Sequence, residues 1–294
     1  MDGLAQELID EIIDHLDKPD LKSCSLVSRS FLPRTRTHLF QHITIPSQRN
    51  LQVQDIPRAY IRSIHLTGHV GVPLDLPNVS HASFTSILYA SDPFIHSLKG
   101  VHTISLTGTS IFIRDPAVLS AFLVRFPHLI TLNVDCYMQF RCWEQPKDVP
   151  KIDKLRVELK GSYTRWVIAL AQNVRRLELI NASATDIRQI LDAPTSNLQQ
   201  LVLRNFQIGL GLLDMSNLVQ LSIDLPDQRA VDWWEAILLL SPPRHVHIAL
   251  HIPSGLPLAA ALPKLGVEVV VEPHCKLTEV ETQEYKALLC PVKS

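Results

Sequence analysis

A short apolar pattern that recurs along the chain constrains its fold more than any other feature of the sequence. It reads apolar-x-x-apolar-x-apolar, and its last two positions alternate with other residues as in a β-strand. Seven copies align; after a first step of 40 residues, their last residues lie 20–28 residues apart. The copies are Ile61/Ile64/Leu66, Val101/Ile104/Leu106, Leu129/Leu132/Val134, Ile152/Leu155/Val157, Val174/Leu177/Leu179, Leu198/Leu201/Leu203 and Leu218/Leu221/Ile223. This step predicts stacked units, none of which buries its apolar face alone.

The segments between these strands show helical periodicity. Apolar residues recur there at the i, i+3, i+4 spacing of a helix face. They are Leu119/Phe122/Leu123/Phe126, Ile187/Ile190/Leu191 and Trp234/Ile237/Leu238. Each unit is therefore predicted to be a strand, a turn and a helix, with parallel strands on the concave side of an α/β solenoid and helices on its convex side. The alternative is a generic α/β sheet of stacked units.

This pattern resembles degenerate leucine-rich repeats. The polar residue that usually follows the last strand position by three is displaced, because Cys136, Asn181 and Asn205 follow it by two. The first step of 40 residues predicts an insertion or a hidden repeat around residues 73–88. Two weaker copies extend the resemblance to residue 271, and a short helix is expected near 278–289. The weaker copies are His245/Ile248/Leu250 and Gly266/Val269/Val271.

Composition excludes several classes of protein. Hydrophobic residues make up 46% of the chain and charged residues 19%, so the chain can bury a large core and is not disordered as a whole. Lys plus Arg number 28 and Asp plus Glu 29, which gives no electrostatic basis for nucleic-acid binding. Five scattered cysteines form no C-x-x-C pair, and no signal peptide or membrane span is expected. We therefore expect a protein of the cytoplasm or nucleus with reduced thiols.

The first 45 residues predict three short helices. Leu8, Ile9, Ile12, Ile13 and Leu16 form a broad apolar stripe of helical period, and acidic residues fill the other face. One interpretation is a small bundle whose stripes all face its own core. The other is a binding surface, because the stripe is wider than so small a core requires. The second and third helices are expected at residues 20–27 and 28–40.

The same residues resemble an F-box of the large fungal F-box families. The resemblance lies in residues 4–16 (LAQELIDEIIDHL), in residues 21–31 (LKSCSLVSRSF) and in the final Leu39-Phe40. Ala5 stands where the family usually has Pro, and Phe31 where many members have Trp. Neither departure removes apolar contact area.

The resemblance implies a docking module and not an enzyme. It implies that the helices bind a Skp-type adaptor, and through it a cullin, while the rest of the chain selects a protein substrate. The residues assigned to adaptor binding are Leu4, Leu8, Ile9, Ile12, Ile13, Leu16, Leu21, Leu26 and Val27.

The concave face of the predicted solenoid offers a candidate substrate surface. Lys154, Arg156, Arg176 and Arg204 flank the apolar positions of three neighbouring strands, and such a basic patch suits an acidic or phosphorylated partner. The alternative is an ordinary solvated face on which Glu158 and Glu178 neutralise the patch. Catalytic residues, metal ligands and cofactors are not expected, because no phosphate-binding loop or nucleophile motif occurs. The His38/His42 pair also lacks the intervening Glu of a zinc-protease helix.

Together these features predict a non-catalytic substrate adaptor of a Skp–cullin–F-box ubiquitin ligase. The expected domains are an F-box at 1–45, a connection at 46–57, a repeat domain at 58–271 and a C-terminal segment at 272–294. Two alternatives stay open. One is an F-box protein that acts outside a ligase, and the other is an intracellular hydrolase whose first helices mimic the motif by chance.

Overall fold

Two compact units make up the chain in a computed structural model. By their internal contacts, the first consists of Met1–Ile111 with Ala121–Leu129, and the second of Phe112–Ser120 with Ile130–Ser294. The N-terminal helices and the strands that follow them directly therefore share a unit. The structure describes residues 5–46, 57–67, 75–85, 93–113, 116–140, 149–160, 163–193, 197–205, 218–224, 247–254 and 268–276.

Three short helices open the first unit, as the sequence predicts. The side chain of Asp17 caps the second helix by accepting a hydrogen bond from the backbone N–H of Asp20 at 3.0 Å. Proline in the first turn of the second and third helices is compatible with helix formation there. Ile13, Leu21 and Thr35 are the buried side chains of this helical group. The helices are α1 (Gln6–Asp14), α2 (Lys18–Val27) and α3 (Leu32–Phe40).

Four parallel strands follow, each paired with the next along the chain. Two of them were not among the seven aligned copies. One follows α3 after a single residue. The other lies within the long first step, which therefore contains a further strand of the series. Single-turn 3₁₀ helices at Arg58–Tyr60 and Pro93–Ser97 lie between strands. The strands are β1 (His42–Ile45), β2 (Ser63–Leu66), β3 (His81–Phe84) and β4 (Thr103–Ile113).

The second unit repeats this arrangement with seven more parallel strands. They are β5 (Thr131–Phe140), β6 (Lys154–Glu158), β7 (Arg176–Ile180), β8 (Gln200–Arg204), β9 (Gln220–Asp224), β10 (His247–Ser254) and β11 (Glu268–Lys276). The mixed α/β, solenoid-like fold is thus confirmed. The last strand runs five residues past residue 271, where the predicted repeat domain ends.

Three helices connect strands in this part of the chain: α4 (Pro116–Leu123), α5 (Thr164–Ala171) and α6 (Ala184–Leu191). The sequence predicts α4 and α6 from their periodicity, but α5 was missed. Ser183 and Asp186 form a capping box that begins α6, because each side chain bonds the other residue's backbone N–H. The helices expected at 234–238 and near 278–289 lie outside the described residues.

One backbone device recurs at the beginning of the strands and explains their even stacking. A single carbonyl oxygen from just before the preceding strand accepts hydrogen bonds from two consecutive backbone N–H groups at the beginning of the next strand. At β2 the carbonyl of Gln41 accepts from Arg62 at 2.9 Å and from Ser63 at 2.8 Å. The same arrangement begins β3, β4, β6, β7, β8 and β9, with carbonyls supplied by Arg62, Ser80, Ile130, Asp153, Arg175 and Gln199. The beginning of each of these strands is thus positioned by the residue that precedes the neighbouring strand.

The core lies on one face of the strands. Leu155, Val157, Leu177 and Leu179 alternate with polar neighbours and are at most 1% exposed. The largest buried helix side chain is Trp166 of α5, whose ring centroid lies 6.4 Å from that of Phe140. In the first unit the edges and faces of Phe84, Phe122 and Phe126 pack together instead. Burial on this scale makes the strand positions predicted from the pattern the main source of stability.

Candidate functional site

An exposed apolar surface lies on the first two helices. Ile12 of α1 is 56% exposed and Leu26 of α2 is 87% exposed, and Leu8 and Val27 are exposed beside them in the sequence. Leu8 and Ile12 lie one helical turn apart on α1 and Leu26 and Val27 are consecutive on α2, and exposed apolar side chains that lie together mark candidate protein-binding sites. We refer to Leu8, Ile12, Leu26 and Val27 as the apolar docking surface.

The other residues assigned to adaptor binding have different environments. Ile9 and Leu16 are half-buried. Ile13 and Leu21 are buried, at 2% and 4% exposure, and so present almost no surface to a partner in this conformation. Leu4 lies outside the described residues. The broad stripe of α1 is therefore divided: one part packs among the helices and the other faces solvent.

An ionic cluster joins the end of α1 to α3. Nε of Arg34 donates to Oδ1 of Asp14 at 2.5 Å, and its Nη2 donates to Oδ2. Nε2 of His38 lies 2.7 Å from the same Oδ1 and donates to it. The hydrogen bonds from Arg34 and then His38 hold the pKa of the Asp14 carboxyl well below its usual range. His38, considered as a possible metal ligand from sequence, therefore has a structural role here.

Asp14→Asn is expected to lower the melting temperature at pH 7. Because folding lowers the pKa of Asp14, its ionised form stabilises the folded state above the unfolded pKa of about 3.9. That stabilisation declines as the pH falls from about 4 toward the folded pKa. Thermal melts followed by circular dichroism should therefore separate wild type and variant most at pH 7, and the difference in melting temperature should become smaller as the pH falls from about 4 to about 2. Glu11→Gln, an exposed carboxylate of α1, is the control; a separation independent of pH would contradict the role of Asp14.

Comparison with known families bears on the helical group. Residues 1–32 match the model of the F-box domain. Residues 1–32 form an F-box domain. The matched segment contains α1 and α2 and ends where α3 begins, so it includes the whole apolar docking surface. F-box domains in general bind Skp-type adaptors and have a role in substrate recognition by Skp–cullin–F-box ubiquitin ligases. A search of curated proteins found no match to the chain.

The predicted basic patch lies on the second unit, on the sheet face opposite to the core. Lys154 and Arg156 of β6, Arg176 of β7 and Arg204 of β8 are all exposed. The structure joins two of them through one acid: Nε of Arg156 lies 3.2 Å, and Nε of Arg204 2.9 Å, from the same Oε1 of Glu178. For Arg156 and Arg204 this geometry favours the alternative interpretation, in which Glu178 neutralises the positive charge of the patch.

Lys154 and Arg176 have different surroundings. They are directly opposite each other in the β6–β7 register, and no ion pair links either one to another described residue. Their row across the sheet contains no acidic residue. The row, which we call the cationic row, contains Thr131, Lys154, Arg176, Gln200, Gln220 and His247.

The other end of these strands is acidic and hydrogen-bonded. Nζ of Lys160 lies 2.7 Å from Oε2 of Glu158 and 3.1 Å from Oδ1 of Asp135, and these carboxylates raise the pKa of Lys160. Nδ2 of Asn181 donates to Oε1 of Glu158 at 2.6 Å, and Nδ2 of Asn205 donates to Oδ1 of Asn181. The cluster of Lys160 with these two carboxylates therefore carries a net negative charge.

Asn181 and Asn205 adopt positive φ angles of 58° and 45°, a region that Asn tolerates better than most residues. Their position two residues after the last strand leucine was visible in the sequence, whereas the hydrogen bonds from Asn205 to Asn181 and from Asn181 to Glu158 were not. Cys136, the equivalent residue after Val134, is buried within β5, and burial raises the pKa of its thiol to about 12. At these equivalent positions the two asparagines form hydrogen bonds at the strand ends, and the cysteine packs in the core.

The part of the chain that the structure describes contains no group of three or more His, Cys, Asp or Glu residues able to hold a metal ion. Among these residues no helix is long and apolar enough to cross a membrane.

Proposed function

We propose that this chain is a substrate-recognition adaptor of a Skp–cullin–F-box ubiquitin ligase. The observation that supports this most directly is the apolar docking surface within the F-box match. In this proposal Leu8, Ile12, Leu26 and Val27 contact the Skp-type adaptor. Ile9 and Leu16 contribute at the margin, and Ile13 and Leu21 support the surface from within. The adaptor then brings a cullin.

The rest of the chain has the features of a protein-binding scaffold. The parallel strands present a largely polar face, and at most strands one carbonyl oxygen that accepts two backbone hydrogen bonds fixes where the next strand begins. Repeated surfaces of this kind suit extended recognition of another protein. We propose that the successive strands with their connections are degenerate leucine-rich repeats attached to an F-box of the fungal type. In this proposal the repeats hold the substrate in the cytoplasm or nucleus.

Co-purification tests this proposal with the full-length chain. The chain is co-expressed with a tagged Skp-type adaptor and a cullin, and complexes are isolated through the adaptor. Recovery of all three proteins in one complex is the expected result. Recovery of the chain and adaptor without cullin would indicate an F-box protein that acts outside a ligase, and failure to recover the chain would contradict adaptor binding.

A further inference from the structure

Two histidines that are distant in the sequence lie side by side on the first unit. His102 immediately precedes β4, and His128 lies in the turn that follows α4. Their ring centroids are 6.1 Å apart, and the planes of the two rings are inclined by 30°. Both side chains are exposed, so neither ring is needed to fill the core. We refer to His102 and His128 as the histidine pair.

The backbone holds both members of the histidine pair in place. Val101 and Leu129, which adjoin them in the chain, are only 0% and 6% exposed. The backbone N–H of His102 also donates to the carbonyl oxygen of Ser80 at 2.9 Å. Because the two backbone positions are already fixed, a ligand that binds both rings orders little more than the two side chains.

The ring nitrogens of the histidine pair are available to a ligand. Apart from the contact between the two rings, no hydrogen bond or ion pair joins either side chain to another residue that the structure describes. Other histidines of this unit differ, because Nε2 of His38 binds Asp14 and Nδ1 of His65 lies 3.0 Å from Oγ of Ser83. A neutral imidazole has one nitrogen with a free lone pair, which is the atom that binds metal ions.

The distance between the rings is close to what one shared metal ion requires. A zinc ion lies about 2.0–2.1 Å from an imidazole nitrogen, and therefore about 3.2 Å from the ring centroid. At the tetrahedral angle, two such centroids are about 5.2 Å apart. The rings of the histidine pair thus need to approach by about 0.9 Å and to turn one nitrogen each toward the ion. Rotation about χ1 and χ2 of two exposed side chains supplies this movement without a change of the backbone.

The type of ligand atom selects among metal ions. Imidazole nitrogens suit zinc, copper and nickel ions, whereas magnesium and calcium ions prefer oxygen ligands. The described part of the chain holds no larger group of His, Cys, Asp or Glu residues around this pair. Two protein ligands leave two positions of a tetrahedral ion for water or for a ligand atom of another molecule. Such an open site differs from a structural zinc site, in which four protein ligands enclose the ion.

We propose that His102 and His128 together bind one zinc ion, each through one ring nitrogen, and leave the ion open to a further ligand. The histidine pair lies outside the apolar docking surface and outside the exposed strand faces. This inference therefore does not depend on the proposed function, and its test requires neither the adaptor nor a substrate.

Isothermal titration of the full-length chain, purified without a polyhistidine tag, with zinc chloride tests the proposal. We expect His102→Gln and His128→Gln each to weaken the tightest zinc binding by at least about tenfold. The double variant should lose no more than about twofold beyond either single variant, because removing one ring already ends the shared binding. Magnesium chloride should give no saturable binding at this site.

A matched control uses two exposed histidines that do not form a pair. His42 lies on β1 and His96 on the 3₁₀ helix Pro93–Ser97, and replacing both with glutamine should leave the zinc affinity within about twofold. All variants should keep the wild-type circular-dichroism spectrum. Unchanged zinc affinity in either single variant, or an equal loss in the control, would overturn the proposal. As a second measurement, electron paramagnetic resonance of the chain with less than one equivalent of copper(II) should show two coordinated imidazole nitrogens. Detection of the same two nitrogens in the double variant would also overturn it.

Discussion

Replacing Ile12 and Leu26 together with aspartate should weaken the affinity for a Skp-type adaptor by more than about 100-fold. Each side chain is more than half exposed on the F-box helices, and an adaptor that covers it must exclude water from it. A carboxylate at such a position must be desolvated without a partner, which commonly costs at least about 2 kcal/mol at the centre of an interface. Two such losses multiply in the equilibrium constant. Isothermal titration with purified adaptor measures the effect.

A control variant distinguishes a loss of docking from a general effect of adding two negative charges to the surface. Val124 and Val219 are also exposed apolar residues but lie far along the sequence from the F-box domain. Replacing both with aspartate introduces the same two charges and should leave the adaptor affinity within about twofold, because surface substitutions away from an interface have small effects. Both variants should keep the wild-type circular-dichroism spectrum. Comparable affinity losses in both variants would show that α1 and α2 do not form the docking surface.

Truncating Leu177 to alanine should reduce the free energy of unfolding by roughly 2–5 kcal/mol. Leu177 is fully buried in β7, where its cross-strand partners are Leu155 and Leu201, so the cavity has packed walls on both sides. Gln200→Ala, on the polar face of the neighbouring strand, should change the same quantity by less than about 0.5 kcal/mol. Urea unfolding followed by tryptophan fluorescence measures both. Equal losses would mean that the alternation of core and surface positions is wrong.

The strands were predictable to different degrees, for reasons that lie in single residues. Leu177 and Leu179 carry large side chains at both alternating positions, so β7 is evident from sequence. The strand β3 follows the same pattern as Val79/Ala82/Phe84, with all three residues buried, but the small Ala82 hides it. Ile43 and Ile45 mark β1 only weakly, because it is short and follows a helix after one residue.

The candidate sites show the same limit. Sequence alternation places Lys154, Arg156, Arg176 and Arg204 on one face correctly, but it cannot say which cation an acid neutralises. That depends on register and side-chain reach, which bring Glu178 to Arg156 and Arg204 and leave the other two opposite each other. Likewise, helical periodicity gives the stripe of α1 but not the division between buried Ile13 and exposed Ile12, because that division depends on how three helices pack.

Gln41 links the helices of the first unit to its strands. Its carbonyl accepts two backbone hydrogen bonds at the beginning of β2, as the carbonyl of Arg62 does at the beginning of β3. The residue that follows α3 therefore also fixes where the second strand begins. The end of α3 and the beginning of β2 are therefore joined directly by backbone hydrogen bonds. A cut at residue 46 would carry β1 away with the helices and leave β2 with an unpaired edge, whereas a cut before Gln41 would keep the series intact.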